Sequence, residues 1–326
     1  MKAKGKSTFI FTLCTLAIII LTFVCFKGVT IGGWEVKSFD QTITKGLDLQ
    51  GGVSVLLGIQ DENVSKEDLL EYEKIRNSEF ISPGEREIIG RLRKNKFHEY
   101  PKSVRHYNSL FPNNYLDTLE LKKEVEIHSM IEAFEELLHS SPNEQKILSF
   151  INGNENYLII ASIFKHYNFG HHEAYLFKEF QLNTQYRADY LLVGKGSGGY
   201  EFIFIELEHP SNNPFKNNGT ELSQCYQNGI NQVKSWERFL EQQFSSLQPK
   251  FNEAKKNGES LPSEFINNDS TRRHYVVIAG RREHYEQNPD YSYSIRRYEQ
   301  NSSRIKLLHY DNLIDFTENL IGENTY

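Results

Sequence analysis

Two apolar runs joined by a glycine-rich segment constrain this chain more than any other feature. They are Arg187-Ala-Asp189-Tyr-Leu-Leu-Val193 and Phe202-Ile-Phe-Ile-Glu206-Leu-Glu208, separated by Gly194-Lys-Gly-Ser-Gly-Gly199. Both runs read as strands, and the glycines between them favour a tight turn, so the pair predicts a hairpin. Alternation in the second run puts Phe202, Phe204, Glu206 and Glu208 on one face and Ile203, Ile205 and Leu207 on the other. The hairpin then carries Asp189 toward Glu206 and Glu208, so three acids share one site. At about 4 Å and an effective dielectric near 20, each like-charged pair repels by roughly 4 kcal/mol, which calls for a cation or a raised pKa. All-oxygen ligation favours Mg2+ or Mn2+ over zinc, and a carboxylate-held cation suits phosphodiester hydrolysis.

Acidic residues at strand ends also occur on solvated surfaces, so the rest of the chain has to support that reading. At 326 residues and a net charge of −6, the chain has room for one large domain or two modest ones. The negative balance excludes nucleic-acid binding through overall charge and leaves it to local basic clusters. The three cysteines, Cys14, Cys25 and Cys225, form neither a disulfide framework nor a zinc-ligand spacing.

Residues 8–26 carry no charge and follow Lys2, Lys4 and Lys6, which predicts one uncleaved transmembrane helix and a membrane-anchored, single-pass protein. The positive-inside rule keeps those lysines in the cytoplasm and sends the remainder across. Beyond the span, Lys45-Gly-Leu-Asp-Leu-Gln-Gly-Gly-Val-Ser-Val-Leu-Leu57 resembles the amino-terminal start of SecD, a membrane subunit of protein export. No later stretch is apolar enough to cross a membrane, so an export role is not expected.

Residues 69–140 read as a helical connector and accessory region. Helical spacing recurs over Glu67 to Ile75, Glu85 to Leu92 and Lys122 to His139, and Arg91, Arg93, Lys94, Lys96, Lys102 and Arg105 make a basic stripe. A further helix is expected over Asn143 to Asn152. Strands are then expected at Leu176 to Leu182, in the two acidic runs, at His274 to Gly280 and at Ile305 to His309. A long helix from Thr220 to Phe244 and shorter ones at Tyr291 to Glu299 and Asn312 to Leu320 alternate with them, giving an α/β class with a mixed sheet. On the long helix Gln224, Asn228, Gln232 and Trp236 fall at successive i+4 positions, and Gln232 is the member placed near the acids.

Several blocks in this order resemble the Shedu family of anti-phage nucleases. They are Glu179-Phe-Gln-Leu, Arg187-Ala-Asp-Tyr190, Ile205-Glu-Leu-Glu-His-Pro-Ser211, Pro214-Phe-Lys-Asn-Asn-Gly219, Asn231-Gln-Val-Lys-Ser-Trp236, Ile278-Ala-Gly-Arg-Arg282 and His309-Tyr-Asp-Asn-Leu313. The resemblance implies a PD-(D/E)xK nuclease-like core, a mixed central sheet flanked by helices, over residues 141–326. That core follows the basic start and transmembrane helix (1–27), the SecD-like segment (28–68) and the accessory region. It implies that Asp189 and Glu206 hold the Mg2+ or Mn2+, with the Leu207 carbonyl as a further ligand. It also implies DNA as the partner and a homo-oligomer. Glu208 stands where the general pattern has a lysine and is read either as a second ligand or as a base acting through water. Gln232, Lys178, Lys216 and Lys234 are the alternatives for orienting the water. Arg281, Arg282 and Lys216 are expected to contact DNA. The resulting function is a metal-dependent DNA endonuclease in phage defence, and the alternative is an inactive nuclease-like binding module. A defence nuclease belongs on the cytoplasmic face, which conflicts with the topology the lysines predict.

Overall fold

The computed structural model describes Thr15 and residues 29–31, 34–36, 101–217 and 220–326. The chain divides into two compact units, residues 1–57 and 58–326. In the first, β1 (Val29–Ile31) and β2 (Trp34–Val36) pair antiparallel.

The second unit begins, among the described residues, with α1 (Pro101–Asn108), α2 (Glu124–His139), α3 (Glu144–Gly153) and α4 (Leu158–Ala161). Helix α2 buries Ile127, Ile131, Phe134 and Leu138, an i, i+4, i+7, i+11 stripe that gives it one apolar side. Asn143 starts α3 by accepting a hydrogen bond from the Lys146 amide at 3.0 Å, satisfying one of the open donors of the first turn.

Strands β3 (Glu173–Gln181), β4 (Arg187–Gly196) and β5 (Gly199–Leu207) form an antiparallel meander. The predicted hairpin is present: Gly196 pairs with Gly199, so Ser197 and Gly198 alone make the turn. A small hairpin, β6 (Phe215–Lys216) with β7 (Glu221–Leu222), precedes α5 (Gln224–Gln243) and α6 (Gln248–Ala254). Strand β8 (Arg273–Ile278), α7 (Arg282–Glu286), α8 (Pro289–Ser303), β9 (Ile305–Leu308) and α9 (Tyr310–Glu318) complete the unit. The sheet order is β3-β4-β5-β8-β9, with β8 and β9 parallel to β5, so it is mixed as expected.

Two apolar layers cover the sheet. Tyr190, Leu192, Ile203, Ile205 and Leu207 pack with residues of α2, α3, α4 and α9. Leu191, Val193, Phe202 and Phe204 pack with Tyr226, Ile230, Val233 and Trp236 of α5 and with Phe251 of α6. The alternation read from the β5 sequence therefore describes both layers, and a sheet buried on both faces needs this much apolar side chain on each strand.

Several expectations are corrected. The long helix begins at Gln224 rather than near Thr220, because residues 221–222 pair in the small hairpin in front of it. On that helix Trp236 turns into the core while Gln224 and Asn228 stay exposed and bond each other at 2.8 Å, so the i+4 row does not share one environment. The helix expected from Tyr291 runs from Pro289 to Ser303, and the last helix starts at Tyr310 rather than Asn312.

The membrane-anchored, single-pass protein is not upheld: no helix among the described residues is long and apolar enough to cross a membrane. Residues 8–26, on which the transmembrane helix rested, lie outside the described residues apart from Thr15, as do residues 45–57 and the accessory helices expected before residue 101. Of the basic stripe, Lys102 and Arg105 are described. They pair with Glu120 at 2.8 Å and Asp117 at 3.1 Å.

Trp236 is fully enclosed between α5 and the sheet, whereas Tyr298 on α8 is 68% exposed. Trp236→Ala should cost about 3–5 kcal/mol of unfolding free energy through the cavity it leaves, and Tyr298→Ala less than about 0.5 kcal/mol. Urea denaturation of the two variants checks the contrast.

Candidate active site

Pairing between β4 and β5 runs as far as Tyr190 and Ile205. Beyond it the Leu207 amide donates instead to Asp189 Oδ2 at 2.7 Å, while Glu206 and Leu207 stay in register with Val277 and Ile278 of β8. A side chain thus replaces a backbone partner where the strands part, and this holds Asp189 beside the end of β5. Glu206 is buried there, and its Oε2 has no hydrogen-bond partner.

Glu208 follows immediately. Its amide donates to the Ile278 carbonyl at 2.8 Å, and its own carbonyl accepts from the Tyr310 hydroxyl at 2.7 Å. Its carboxylate Oε2 accepts from the Cys225 thiol at 3.2 Å, which turns the side chain toward the start of α5. Gly229 makes room for it: a Cβ there would lie 2.7 Å from Glu208 Oε1 and 3.0 Å from Val277 Cγ1. Gly280, after β8, adopts φ +67° in the left-handed region that favours glycine, and its carbonyl accepts from the Tyr310 amide at 3.1 Å. Tyr310 is in this way fixed at both its backbone and its hydroxyl.

Glu144, the first residue of α3, is the fourth acid. The Ser211 hydroxyl donates to the Pro142 carbonyl at 3.3 Å and ties the start of α3 to the loop that follows Glu208. Burial, with repulsion from Glu144 and Glu208, raises the Asp189 pKa to about 7, against the Leu207 amide and Arg187. Burial, then Asp189, Glu208 and Glu144, raises Glu206 to about 10. Burial raises Glu208 as well, with the Cys225 hydrogen bond opposing and Glu144 adding to it. Burial raises Glu144, with His209 opposing. These four carboxyl groups crowd one another enough to favour holding protons or accepting a cation.

The other residues singled out in the sequence lie elsewhere or are already engaged. Gln232 is on the exposed side of α5, almost one turn beyond Gly229. Lys216 pairs with Glu221 at 3.2 Å, Lys234 with Glu299 at 3.2 Å, and Lys178 Nζ donates to the Tyr157 hydroxyl at 3.5 Å. Arg281 binds Asp311 through Nε and Nη2 at 2.7–3.1 Å, and Arg282 binds Asp315 at 2.6–2.7 Å. Both guanidiniums therefore fasten the end of β8 and the start of α7 to α9.

Glu144, Cys225 and Tyr310 were missed as members of the site. An acid in the first turn of a helix reads as a dipole partner, and the contacts that place all three here are long-range.

A family model described as Shedu protein SduA, C-terminal, matches residues 141–314, more than half of the chain. The chain belongs to this family. Membership implies a role in anti-phage defence. The Shedu match includes all four acids, Cys225 and Tyr310. No curated protein matches the chain. The SecD-like reading of the amino-terminal segment finds no support from these comparisons.

The raised pKa values have a sign that can be tested. A carboxyl whose folded pKa exceeds its unfolded value favours folding fully below the unfolded pKa, and that contribution is lost as pH rises through the folded one. For Asp189 the window runs from 3.8 to about 7, and for Glu206 from 4.5 to about 10. Glu206→Gln removes the second loss. In EDTA it should melt at a higher temperature than the parent at pH 8, and the gap should close toward pH 4. A gap independent of pH would sink the assignment.

Proposed function

We propose that this chain is a metal-dependent DNA endonuclease of the PD-(D/E)xK type that acts in anti-phage defence. The observation that carries this reading is the buried, unpartnered Glu206 Oε2 beside Asp189, at the carboxyl end of a central strand, within a family associated with nuclease defence. Carboxyl ends of parallel strands are where open α/β sheets bind ligands.

The donors fit a hard cation. Asp189 and Glu206 would hold Mg2+ or Mn2+, with the Leu207 carbonyl as a further oxygen. Among the described residues no group of three or more His, Cys, Asp or Glu is placed to hold a metal ion, so the carboxylate ligands would number two. Two carboxylates with the remaining positions left to water and substrate phosphate is an arrangement that suits magnesium. Held by Asp189 and Glu206, such a cation would supply positive charge beside the phosphoryl oxygens and lower the pKa of a nearby water.

The chain's own residues orient and handle protons. The Leu207 amide fixes the Asp189 carboxylate, and the Tyr310 hydroxyl fixes the backbone on which Glu208 stands. Glu208 occupies the position of the usual lysine and has a raised pKa. Its carboxylate, held through Oε2 by Cys225, would take a proton from water or return one to the leaving oxygen.

The same substitution at the lysine position also supports a second reading, a module that binds DNA without cutting it. Linear and circular DNA incubated with the full chain in Mg2+, Mn2+ or EDTA separates the two. Metal-dependent cutting should fall at least about 100-fold in Asp189→Asn and Glu206→Gln, the scale lost with essential groups of this kind. Cutting that persists in both variants or in EDTA removes the nuclease assignment from this site. Binding without cutting in the parent chain favours the second reading.

A further inference from the structure

The edge of the sheet distant from β3 carries a second cluster of opposite charge. On β9, Ile305 and Leu307 pack into the layer beneath α5, and alternation turns Lys306 to the other face, where its Nζ lies 4.9 Å above the Tyr167 ring. Arg296 of α8 comes from the flank, and its Nη2 meets the Asn312 amide oxygen at 3.4 Å. His166 stands beside them, its ring 4.2 Å edge-on from Phe316. Loss of solvent and then Arg296 lower the Lys306 pKa, and loss of solvent, Lys306 and Arg296 lower His166 to about 4.

No carboxylate among the described residues pairs with Lys306 or Arg296. The nearby acids of α9, Asp311 and Asp315, are already bound by Arg281 and Arg282. Half-burying a lysine beside an arginine with no counter-ion disfavours the charged form, and a bound anion reverses that. Beyond the Asn312 contact and the aromatic floor, the Arg296 and Lys306 donors have no hydrogen-bond partner among the described residues, and such donors suit a tetrahedral oxyanion. Lys306 is in register with Val276, the residue before the Val277 that pairs with Glu206. At the ordinary spacing between strands, two strand steps put Lys306 roughly 10 Å across the sheet from Glu206 along the backbone. Glu206 belongs to the α5 face and Lys306 to the opposite one, so a nucleic-acid strand would join the two by passing around the β9 edge.

We infer that Arg296, Lys306 and His166 form a phosphate-binding site at the β9 edge, separate from the acidic centre, which holds a phosphate of the DNA backbone while the strand enters that centre. The His166 ring adds a hydrogen-bonding nitrogen at the rim, and the two cations contribute the charge that the acidic centre lacks. The site's use in cleavage rests on the nuclease reading, but its affinity for phosphate does not.

The test is binding of a labelled duplex to the full chain in EDTA across a salt series, using Arg296→Gln, Lys306→Gln, Lys306→Arg and, on α6, Lys250→Gln. Each Gln variant at the site should weaken binding several-fold and reduce the slope of log K against log salt by about 1. Lys306→Arg and Lys250→Gln should bind as the parent does, and Lys306→Arg guards against a Gln variant that merely misfolds. Inorganic phosphate and a mononucleotide are the competing probes. Stabilisation of the parent's melting by either, lost in Lys306→Gln, with no duplex bound, would assign the site to free phosphate and overturn its role on DNA. Unchanged affinity and slope in both Gln variants, with no response to phosphate, overturns the site. Cutting assayed in parallel separates the two ideas. A chain that cuts but ignores Arg296 and Lys306 loses only this site, and one that depends on them for binding but never cuts loses only the nuclease reading.

Discussion

The hydrogen bond from the Leu207 amide to Asp189 sits where β4 and β5 stop pairing, and the acidic centre depends on it. If the hairpin simply continued, a backbone carbonyl would satisfy that amide and Asp189 would point elsewhere. Because the strands part, one backbone donor is open at the end of a buried strand, and a carboxylate is the partner that fills it. Glu206 is then enclosed next to an acid already fixed in position, and its unpartnered oxygen is the consequence. The surrounding apolar layers keep water from relieving the crowding.

The rest of the unit supports this arrangement from three directions. Helix α3 brings Glu144 because the loop after Glu208 is tied to Pro142. Helix α5 approaches closely because Gly229 has no side chain at the point where Glu208 lies. Helix α9 presents Tyr310 because Gly280 turns the chain sharply and the Arg281–Asp311 and Arg282–Asp315 pairs fasten the neighbouring segments. Those arginines, expected to contact DNA, are each paired with a carboxylate of α9, the Arg282 pair at the surface. Arg296 and Lys306 have no carboxylate partner among the described residues.

The division of charge has a functional logic. If the centre accepts a cation and acts on DNA as proposed, it repels a polyanion until the cation is present, and positive charge displaced from it would hold the substrate. On the proposed reading, the β9 edge would supply that charge on the same sheet, from the face opposite Glu206.

Much of this fold was legible in the sequence. Strict alternation over 202–207 determined both faces of β5, and a Gly-rich segment of six residues between two such runs determined the hairpin. Asp189, Glu206 and Glu208 were legible together because strand period and turn length are local rules, and local rules survive without knowledge of the rest. What the sequence could not show depended on contacts across long separations. Glu144 reaches the site from 45 residues before Asp189 and 62 before Glu206, and Tyr310 from 102 beyond Glu208, neither marked by spacing. Whether Arg281 was free or bound, and whether Lys306 had a counter-ion, was decided by which acids α9 placed nearby. Tertiary packing alone sets those neighbours, because the charge of a side chain is written in the sequence while its partner is chosen by the fold.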